Sequence, residues 1–248
     1  MILITRKKIK SLNIYRKNNY APQFFILMKN VTANSIEEFQ IEILSWHEKN
    51  GRHLLPWRSE GLSNYELIIA EILLQRTKAE TVANFYHLFL KAFSSWKSLA
   101  MAEIEEIENI LKPIGLYKQR ASRLKKLAVE MIKRKQKLPN NRDELESIPF
   151  MGQYIANAVE LLIFNKPVQL LDVNMARVIE RYFGERKLSD IRYDPYLQAL
   201  SLKIVNHNKS RDLNWAILDF AALVCKARNP DCEHCPISQK CLFYNKIK

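Results

Sequence analysis

The sequence lacks the features that mark membrane-spanning, secreted and β-sheet proteins. No apolar run approaches the roughly 18–20 residues that cross a bilayer, and the stretch near the start, Phe24 to Met28, is far shorter. No secretory signal with a small-residue cleavage site opens the chain. Strand-like alternation of apolar and polar residues is nearly absent, and we find no internal repeat or low-complexity segment. We therefore expect neither a membrane segment nor secretion.

Glycine is also scarce, with five residues in 248, and each lies between segments of helical periodicity. Such positions use the positive φ or tight approach that glycine permits. From Ser35 onward the apolar residues recur at helical spacing, the first helix ends at Gly51, and Asn64 is expected to cap the second. Further amphipathic segments cover residues 79–91, 103–112, 117–136, 153–165, 174–183, 195–208 and 211–225. The pattern predicts an all-α protein.

Acidic residues are missing from the first 36 positions, where the basic residues are Arg6, Lys7, Lys8, Lys10, Arg16, Lys17 and Lys29. A basic arm of this kind is found in phosphate-binding tails, in transit peptides and upstream of misassigned start codons. Because Met28 leads directly into a helix, we expect residues 1–33 to be a disordered arm or an over-long start. The whole chain has a net charge of +13. This charge favours nucleic acid as partner, with a merely solvated basic surface as the alternative.

Only four cysteines are present, and all lie near the C-terminus in the spacing Cys-x6-Cys-x2-Cys-x5-Cys, at Cys225, Cys232, Cys235 and Cys241. Thiolates select iron–sulfur clusters or zinc. Zinc sites more often pair two Cys-x2-Cys steps, and disulfides need an oxidising compartment. The spacing favours a [4Fe–4S] cluster, with a zinc site or two disulfides as alternatives.

Two further segments carry candidate functional residues. In residues 148–159 a short helix ends before Pro149, the chain turns at Met151 and Gly152, and an alanine-rich helix begins at Gln153. Such a turn can direct backbone N–H groups at a helix start towards a phosphate, although an ordinary interhelical turn has the same pattern. Asp172 follows two leucines and precedes a helix, and by itself it is most simply interpreted as an N-cap.

Together the hairpin, Asp172 within Leu-Asp-Val-Asn and the cysteine-rich tail resemble the helix-hairpin-helix DNA glycosylases of the endonuclease III superfamily. The resemblance covers about residue 36 to the C-terminus. It implies two all-α lobes with double-stranded DNA bound between them. A six-helix barrel lobe containing the hairpin would span 56–167, and an iron–sulfur cluster lobe would combine 34–55 with 168–248. Asp172 would be the catalytic aspartate.

The resemblance also implies roles for the cysteine-rich tail and for the hairpin. The cluster would be mainly structural, and Lys226 and Arg228, in the loop between the first two ligands, would contact DNA phosphates. Tyr154 stands where bifunctional members carry a lysine that cleaves the strand through a Schiff base. Because tyrosine cannot form an imine, we expect a monofunctional enzyme without strong AP-lyase activity. Phe150 replaces the first glycine of the family's hairpin, and we expect it to be tolerated if its φ is negative.

Glu71 resembles a glutamate shared by two subfamilies, the adenine glycosylases acting opposite 8-oxoguanine or guanine and the thymine glycosylases of T/G mismatches. Its place beside Ile68 and Ile72 on an amphipathic helix predicts apolar surroundings, which raise the pKa of a carboxyl group and suit proton exchange. A solvated helix charge is the alternative interpretation.

Three features favour thymine or uracil opposite guanine as the target. These are Tyr154, Leu116 where adenine enzymes carry an aromatic wedge, and a chain that ends seven residues after Cys241, without the second domain of adenine enzymes. Gln75 favours adenine instead. Adenine glycosylase is therefore the first alternative, and a non-catalytic iron–sulfur DNA-binding protein is the second. The joint presence of Asp172 and Glu71 argues against the latter.

The expected reaction is hydrolysis of one N-glycosidic bond after the base has been flipped out of duplex DNA. Asp172 would stabilise the cationic sugar, Glu71 would assist proton transfer, and Tyr154 would line the base pocket. The expected DNA contacts are Gln75, Arg76 and Leu116 at the emptied position and Met151, Gly152 and Gln153 on the phosphates. We expect a monomer in the cytoplasm, associated with the nucleoid.

Overall fold

The computed structural model describes residues 31–248, and these residues form helices and turns without a β-strand. The prediction of an all-α fold is therefore confirmed. The predicted basic arm lies, up to residue 30, outside the described residues. The described residues fold as two compact units: a middle unit, Arg52–Leu170, and a terminal unit that joins residues 31–51 with Leu171–Lys248. Within residues 31–248, no helix is both long and apolar enough to cross a membrane.

The middle unit contains seven α-helices around one hydrophobic core. They are α2 (Asn64–Leu74), α3 (Ala79–Ala92), α4 (Trp96–Met101), α5 (Ile104–Leu111), α6 (Tyr117–Lys133), α7 (Arg142–Ser147) and α8 (Gln153–Leu162). Short 3-10 turns cover Pro56–Arg58 and Lys112–Ile114. Aromatic rings fill the centre, where Tyr65 meets Trp96 edge-on at 4.8 Å and Trp57 meets Tyr86 at 6.0 Å. Edge-to-face aromatic pairs of this kind stabilise the fold beyond what the burial of their apolar surface contributes.

The terminal unit packs the N-terminal helix α1 (Ala33–Asn50) against the C-terminal part of the chain. Its other helices are α9 (Val173–Phe183), α10 (Pro195–Val205), α11 (Ser210–Leu223) and α12 (Leu242–Ile247), with a 3-10 turn at Ser238–Lys240. Phe39 of α1 contacts the rings of Tyr182 and Phe183 at 5.0 and 5.3 Å. His47 Nε2 lies 3.2 Å from the buried Asp219 carboxylate. These contacts join segments more than 130 residues apart in the sequence into one core.

Most helix boundaries follow from local sequence signals. Gly51 ends α1 as predicted, and a Cβ there would lie 2.5 Å from His47 Cδ2, so no larger residue fits without a shift. The predicted cap of α2 is wrong by one residue: Ser63 is the N-cap, and it forms a capping box with Glu66. Asn64 is the first residue of the helix. The short helices α4 and α12 were not predicted, because six residues carry too little periodicity.

Candidate active site and metal centre

Asp172 occupies the N-cap of α9, and its carboxylate is held by three hydrogen bonds. Oδ1 accepts the backbone N–H groups of Asn174 at 2.9 Å and Met175 at 2.8 Å. Oδ2 accepts the Asn174 side-chain amide at 2.7 Å. The cap interpretation is thus correct, and it also means that the carboxylate has a fixed orientation. A fixed, partly buried carboxylate is suited to act on a charge that develops nearby.

Arg177 extends this arrangement to the cysteine-rich segment. Its guanidinium donates to Asn174 Oδ1 at 3.0 Å, to the Ala221 carbonyl at 2.9 Å and to the Cys225 carbonyl at 2.9 Å. Two hydrogen-bonded side chains therefore connect the Asp172 carboxylate to the backbone of the first cysteine. The orientation of Asp172 depends in this way on how the cysteine-rich segment is folded.

Burial raises the pKa of the Asp172 carboxyl group above its ordinary value of 3.8. The hydrogen bonds from Met175 and Asn174 and the charge of Arg177 oppose the shift, because they stabilise the ionised form. The ionised carboxylate is thus poorly solvated but well directed. In such surroundings its attraction for a cation is stronger than in water.

Glu71 lies on α2 with only 5 % of its surface exposed. It is the one charged residue in a closely packed group whose other members are apolar: Leu67, Ile68, Ile155, Ala158, Val159, Leu162 and Ile163. The apolar surroundings predicted for this carboxyl group are present, and the solvated alternative does not hold. Tyr154 is the second residue of α8, partly buried and packed against the core of the middle unit. Both catalytic roles remain predictions.

Gln75, Arg76 and Leu116 lie on two short loops of the middle unit. Gln75 ends α2 and is half-buried, and Arg76 follows it, exposed, with φ 60°. Leu116 precedes α6 with φ 52° and leaves 48 % of its side chain exposed. An exposed leucine in the left-handed region is uncommon and unfavourable. Both loops therefore present side chains from strained backbone, which is frequent where a ligand is bound.

Arg120 is a residue that the sequence analysis missed. It is 4 % exposed and donates four hydrogen bonds: to Gln75 O at 2.6 Å, Thr77 Oγ1 at 2.7 Å, and Ile114 O and Gly115 O at 3.0 Å each. A signal was present, because Arg120 shares the buried face of α6 with Leu124, Leu127 and Met131. A charged residue on the apolar face of a helix marks a site that needs an explanation.

The predicted hairpin is formed by α7, a tight turn and α8, but two of its residues differ from expectation. Phe150 has φ 66°, not the negative φ under which we expected it to be tolerated. Its ring is 39 % exposed and lies 5.6 Å from the Arg123 guanidinium. Met151 is buried, and its backbone N–H donates to the Ile148 carbonyl at 3.1 Å. Neither its side chain nor this N–H group is therefore accessible to a DNA phosphate, contrary to the prediction. Gly152 is the exposed N-cap of α8, without a side-chain cap.

Polar contacts join the two helices of the hairpin behind this turn. Arg142 of α7 donates to Asn157 Oδ1 at 2.7 Å and pairs with Glu160, both on α8. Asn157 in turn donates to the Gln169 carbonyl at 2.7 Å. Lys166 also pairs with Glu160, at 3.3 Å. Because Asn157 and Glu160 are buried and hydrogen-bonded, these contacts hold α7 and α8 together.

The four cysteines line a single cavity in the terminal unit, with Tyr182, Phe220 and Ile237 among its other walls. All four are free thiols, so the disulfide alternative is wrong for this structure. Arg181 secures the segment by donating to Cys225 Sγ at 3.3 Å and to the Lys226 carbonyl at 2.7 Å. Lys226 and Arg228 are exposed on the loop that follows.

The chemistry of the cavity fits an iron–sulfur cluster. Burial raises the pKa of the Cys235 thiol to about 12, so this sulfur ionises when a metal takes the place of its proton. Within residues 31–248, no three His, Cys, Asp or Glu side chains are arranged to hold a single metal ion. Four thiols around one shared space are what a cluster of several irons requires.

Comparison with known proteins agrees with this geometry. Residues 69–201 match the HhH-GPD superfamily of base excision DNA repair proteins, and residues 225–241 match the iron–sulfur binding domain of endonuclease III. The chain belongs to the HhH-GPD superfamily. It is thus a DNA glycosylase of base excision repair, and it carries a [4Fe–4S] cluster in the segment that contains all four cysteines. The family and cofactor predictions are confirmed.

Three relatives show where this HhH-GPD protein stands within the superfamily. It is 37% identical to the thymine/uracil-DNA glycosylase of Pyrobaculum aerophilum over 84% of this chain and 93% of that protein. It is 30% identical to the adenine DNA glycosylase of Buchnera aphidicola over 86% of this chain and 61% of that one. Among solved structures, a thermostable thymine-DNA glycosylase superposes with a TM-score of 0.76 at 34% identity, covering 86% of this chain and 98% of the other.

Proposed function

We propose that this HhH-GPD protein is a monofunctional glycosylase that hydrolyses the N-glycosidic bond of thymine or uracil opposite guanine. The observation that carries the proposal is the 37% identity to a thymine/uracil-DNA glycosylase over nearly the whole of both chains, against 30% for an adenine enzyme. Leu116 and Tyr154 support the same assignment, because adenine enzymes usually carry an aromatic wedge and a small hydroxyl residue at these positions.

In the proposed mechanism Asp172 stabilises the positive charge that develops on the sugar as the base leaves. Its carboxylate is oriented by Asn174 and Met175 before substrate binds, so no reorganisation is needed during the reaction. The same carboxylate can orient the attacking water as a general base. Its partial desolvation strengthens the interaction with the cationic sugar, since no bulk water competes for the charge.

Glu71 and Tyr154 act on the base in this proposal. Glu71 is buried among apolar side chains, where it exchanges a proton with the departing pyrimidine or positions water. Tyr154 lines the base pocket and lacks the amine needed for a Schiff base, so the product is an abasic site in an intact strand.

DNA is engaged by exposed residues on several loops. Arg76 and Leu116, with the half-buried Gln75, occupy the position that the flipped base leaves. The hairpin binds phosphate through the backbone at Gly152 and Gln153, where α8 begins. Lys226 and Arg228 add cationic contacts. A mispaired base costs less to unstack and unpair than a paired one, which provides part of the selectivity. We propose that the protein acts as a monomer on the nucleoid.

Adenine glycosylase activity is the second candidate. It is favoured by Gln75, which resembles the adenine enzymes, and by the 30% identity to one of them. The two candidates differ in the base released and in the opposing base, so a lesion panel separates them.

The deciding experiment incubates the protein with duplexes that contain one T/G, U/G, A/8-oxoguanine or A/G pair. Each reaction is divided in two, and only one half is heated in alkali before the strands are separated. We expect cleavage of the T/G and U/G duplexes, and only after alkali. Cleavage of the adenine duplexes alone would establish the second candidate, and nicking without alkali would contradict the monofunctional mechanism.

A further inference from the structure

We infer that Arg120 is a positioning residue that fixes two DNA-entering loops to each other, so that they penetrate the duplex as one body. The first loop comprises residues 75–77 and the second residues 114–116. The inference rests on the proposed function, because the insertion of Gln75, Arg76 and Leu116 into DNA is part of that proposal.

The geometry of the guanidinium connects the two loops directly. Nη2 donates to Gln75 O at 2.6 Å and to Thr77 Oγ1 at 2.7 Å in the first loop. Nη1 donates to Ile114 O and Gly115 O, both at 3.0 Å, in the second. The loops are about forty residues apart in the sequence, and this single planar group bonds each of them twice. A lysine ammonium lacks the fixed fork of donors needed for all four contacts.

The contacts fall next to the strained residues in the sequence. Gln75 and Thr77 flank Arg76, which has φ 60°, while Ile114 and Gly115 precede Leu116, which has φ 52°. Side chains in this backbone region cost free energy and persist only where neighbouring contacts enforce the conformation. Arg120 supplies such contacts to both loops. It thereby fixes the directions in which Arg76 and Leu116 leave the surface.

The cost of this arrangement indicates a role beyond stability. Within the described residues Arg120 has hydrogen bonds to carbonyls and one hydroxyl but forms no salt bridge with a carboxylate. Burial lowers its pKa, and the nearby charge of Arg123 adds to that effect. Burying a cation without an anionic partner costs free energy, and an apolar side chain on the same helix face would not have this cost. Unlike an apolar side chain, the arginine forms hydrogen bonds to backbone carbonyls of two exposed loops.

The inference predicts a specific defect. If the loops enter together, loosening them impairs extrusion of a stacked base but not cleavage of a base that is already unpaired. Arg120→Lys keeps the charge and loses part of the fork. Thr77→Val removes one of the four acceptors and leaves the fold intact. Tyr65→Phe is the matched control, because it removes a buried hydrogen bond to Phe93 O in the same unit without contacting either loop.

Single-turnover excision of uracil is measured on two substrates, a U/G duplex and the same sequence with the U/G site inside a bubble of non-pairing bases. For Arg120→Lys we expect a loss of roughly tenfold or more on the duplex and less than threefold on the bubble, with Thr77→Val intermediate on the duplex. Tyr65→Phe should leave the ratio of the two rates at the wild-type value. A 2-aminopurine beside the uracil should show slower unstacking in Arg120→Lys.

Equal losses on both substrates, or an unchanged duplex rate in Arg120→Lys, would overturn the inference while the proposed function stands. A wild-type protein that releases neither uracil nor thymine from any duplex would instead overturn the proposed function. The two failures are therefore distinguishable in the same experiment. A melting curve for each variant separates loosened loops from general unfolding, since Tyr65→Phe is destabilised without touching them.

Discussion

At the scale of single residues, the most informative group is the Asp172 carboxylate, which caps α9 and is also the proposed catalytic group. Three donors, two of them backbone amides of its own helix, hold both of its oxygens. The donors that satisfy the helix start also set the direction and the acidity of the carboxylate. Helix capping and catalysis are thus compatible here, because a cap accepts hydrogen bonds in the same charged form that stabilises a cationic sugar.

The pH dependence of the reaction follows from the environment of Asp172. Burial raises its pKa above 3.8, so on acidification the carboxylate is protonated at a higher pH than an ordinary aspartate. Because the ionised form is the active one, the single-turnover rate should fall at that higher pH. Asn174→Ala removes a hydrogen bond that favours the ionised form, so it should move the fall to higher pH still. A pH–rate profile under enzyme excess checks this, and an unshifted or lowered midpoint would contradict it.

At the scale of elements, the hairpin between α7 and α8 shows how a departure from the family pattern is accommodated. Phe150 adopts the left-handed backbone that glycine would adopt more easily, with φ 66°. The Arg142, Asn157 and Glu160 contacts hold the helices on either side. The turn is therefore kept by its surroundings and not by its own preference.

This backbone conformation predicts that glycine stabilises position 150 more than alanine does, the reverse of their order inside a helix. At position 150, Phe150→Gly should be more stable than Phe150→Ala by roughly 1 kcal/mol, because alanine resists a positive φ. At Leu88, an exposed site inside α3, the order should invert by about the same amount, since glycine weakens a helix interior. Denaturant unfolding of the four variants tests both. Alanine as the more stable residue at 150 would show that the strain is absent.

The helices of this chain are more predictable from its sequence than the contacts between distant segments are. Gly51 ends α1 as predicted, and the predicted cap of α2 is wrong by one residue. The ends of α6, α8 and α10 were predicted at residues 136, 165 and 208, three residues beyond the observed Lys133, Leu162 and Val205. The buried position of Glu71 followed from helical periodicity. The four bonds of Arg120 were not predictable, because they depend on how loops distant in the sequence meet. The φ of Phe150 also lay beyond sequence reasoning, since the φ of a non-glycine residue is decided by the packing around it.

At the scale of the whole molecule, the cluster segment completes the terminal unit. Arg181 bonds Cys225 Sγ and the Lys226 carbonyl, and Arg177 bonds the Cys225 carbonyl, so α9 depends on the segment for the partners of two arginines. Metal binding and folding of this unit are therefore coupled.

The net charge of the whole chain, +13, is consistent with a polyanionic substrate.

Loss of one cluster ligand should destabilise the terminal unit. Cys235→Ser is expected to lower iron content and to reduce the free energy of unfolding by more than ~3 kcal/mol, since metal loss is among the largest single-site effects. Ser238→Ala lines the same cavity without offering a thiolate, and it should retain iron and stability. Iron analysis, visible absorbance and thermal unfolding check the pair. Full stability of an iron-free Cys235→Ser protein would contradict a structural cluster.

The central claim, that Asp172 promotes base loss, is tested most directly by Asp172→Asn in single-turnover excision from a T/G or U/G duplex. Asparagine preserves the size of the side chain and the cap, so the rate should fall by on the order of 10²–10⁴ while DNA binding is retained. Asp212→Asn removes the same charge from the exposed first turn of α11, and as the control it should keep its rate. A near-normal rate in Asp172→Asn would contradict the account.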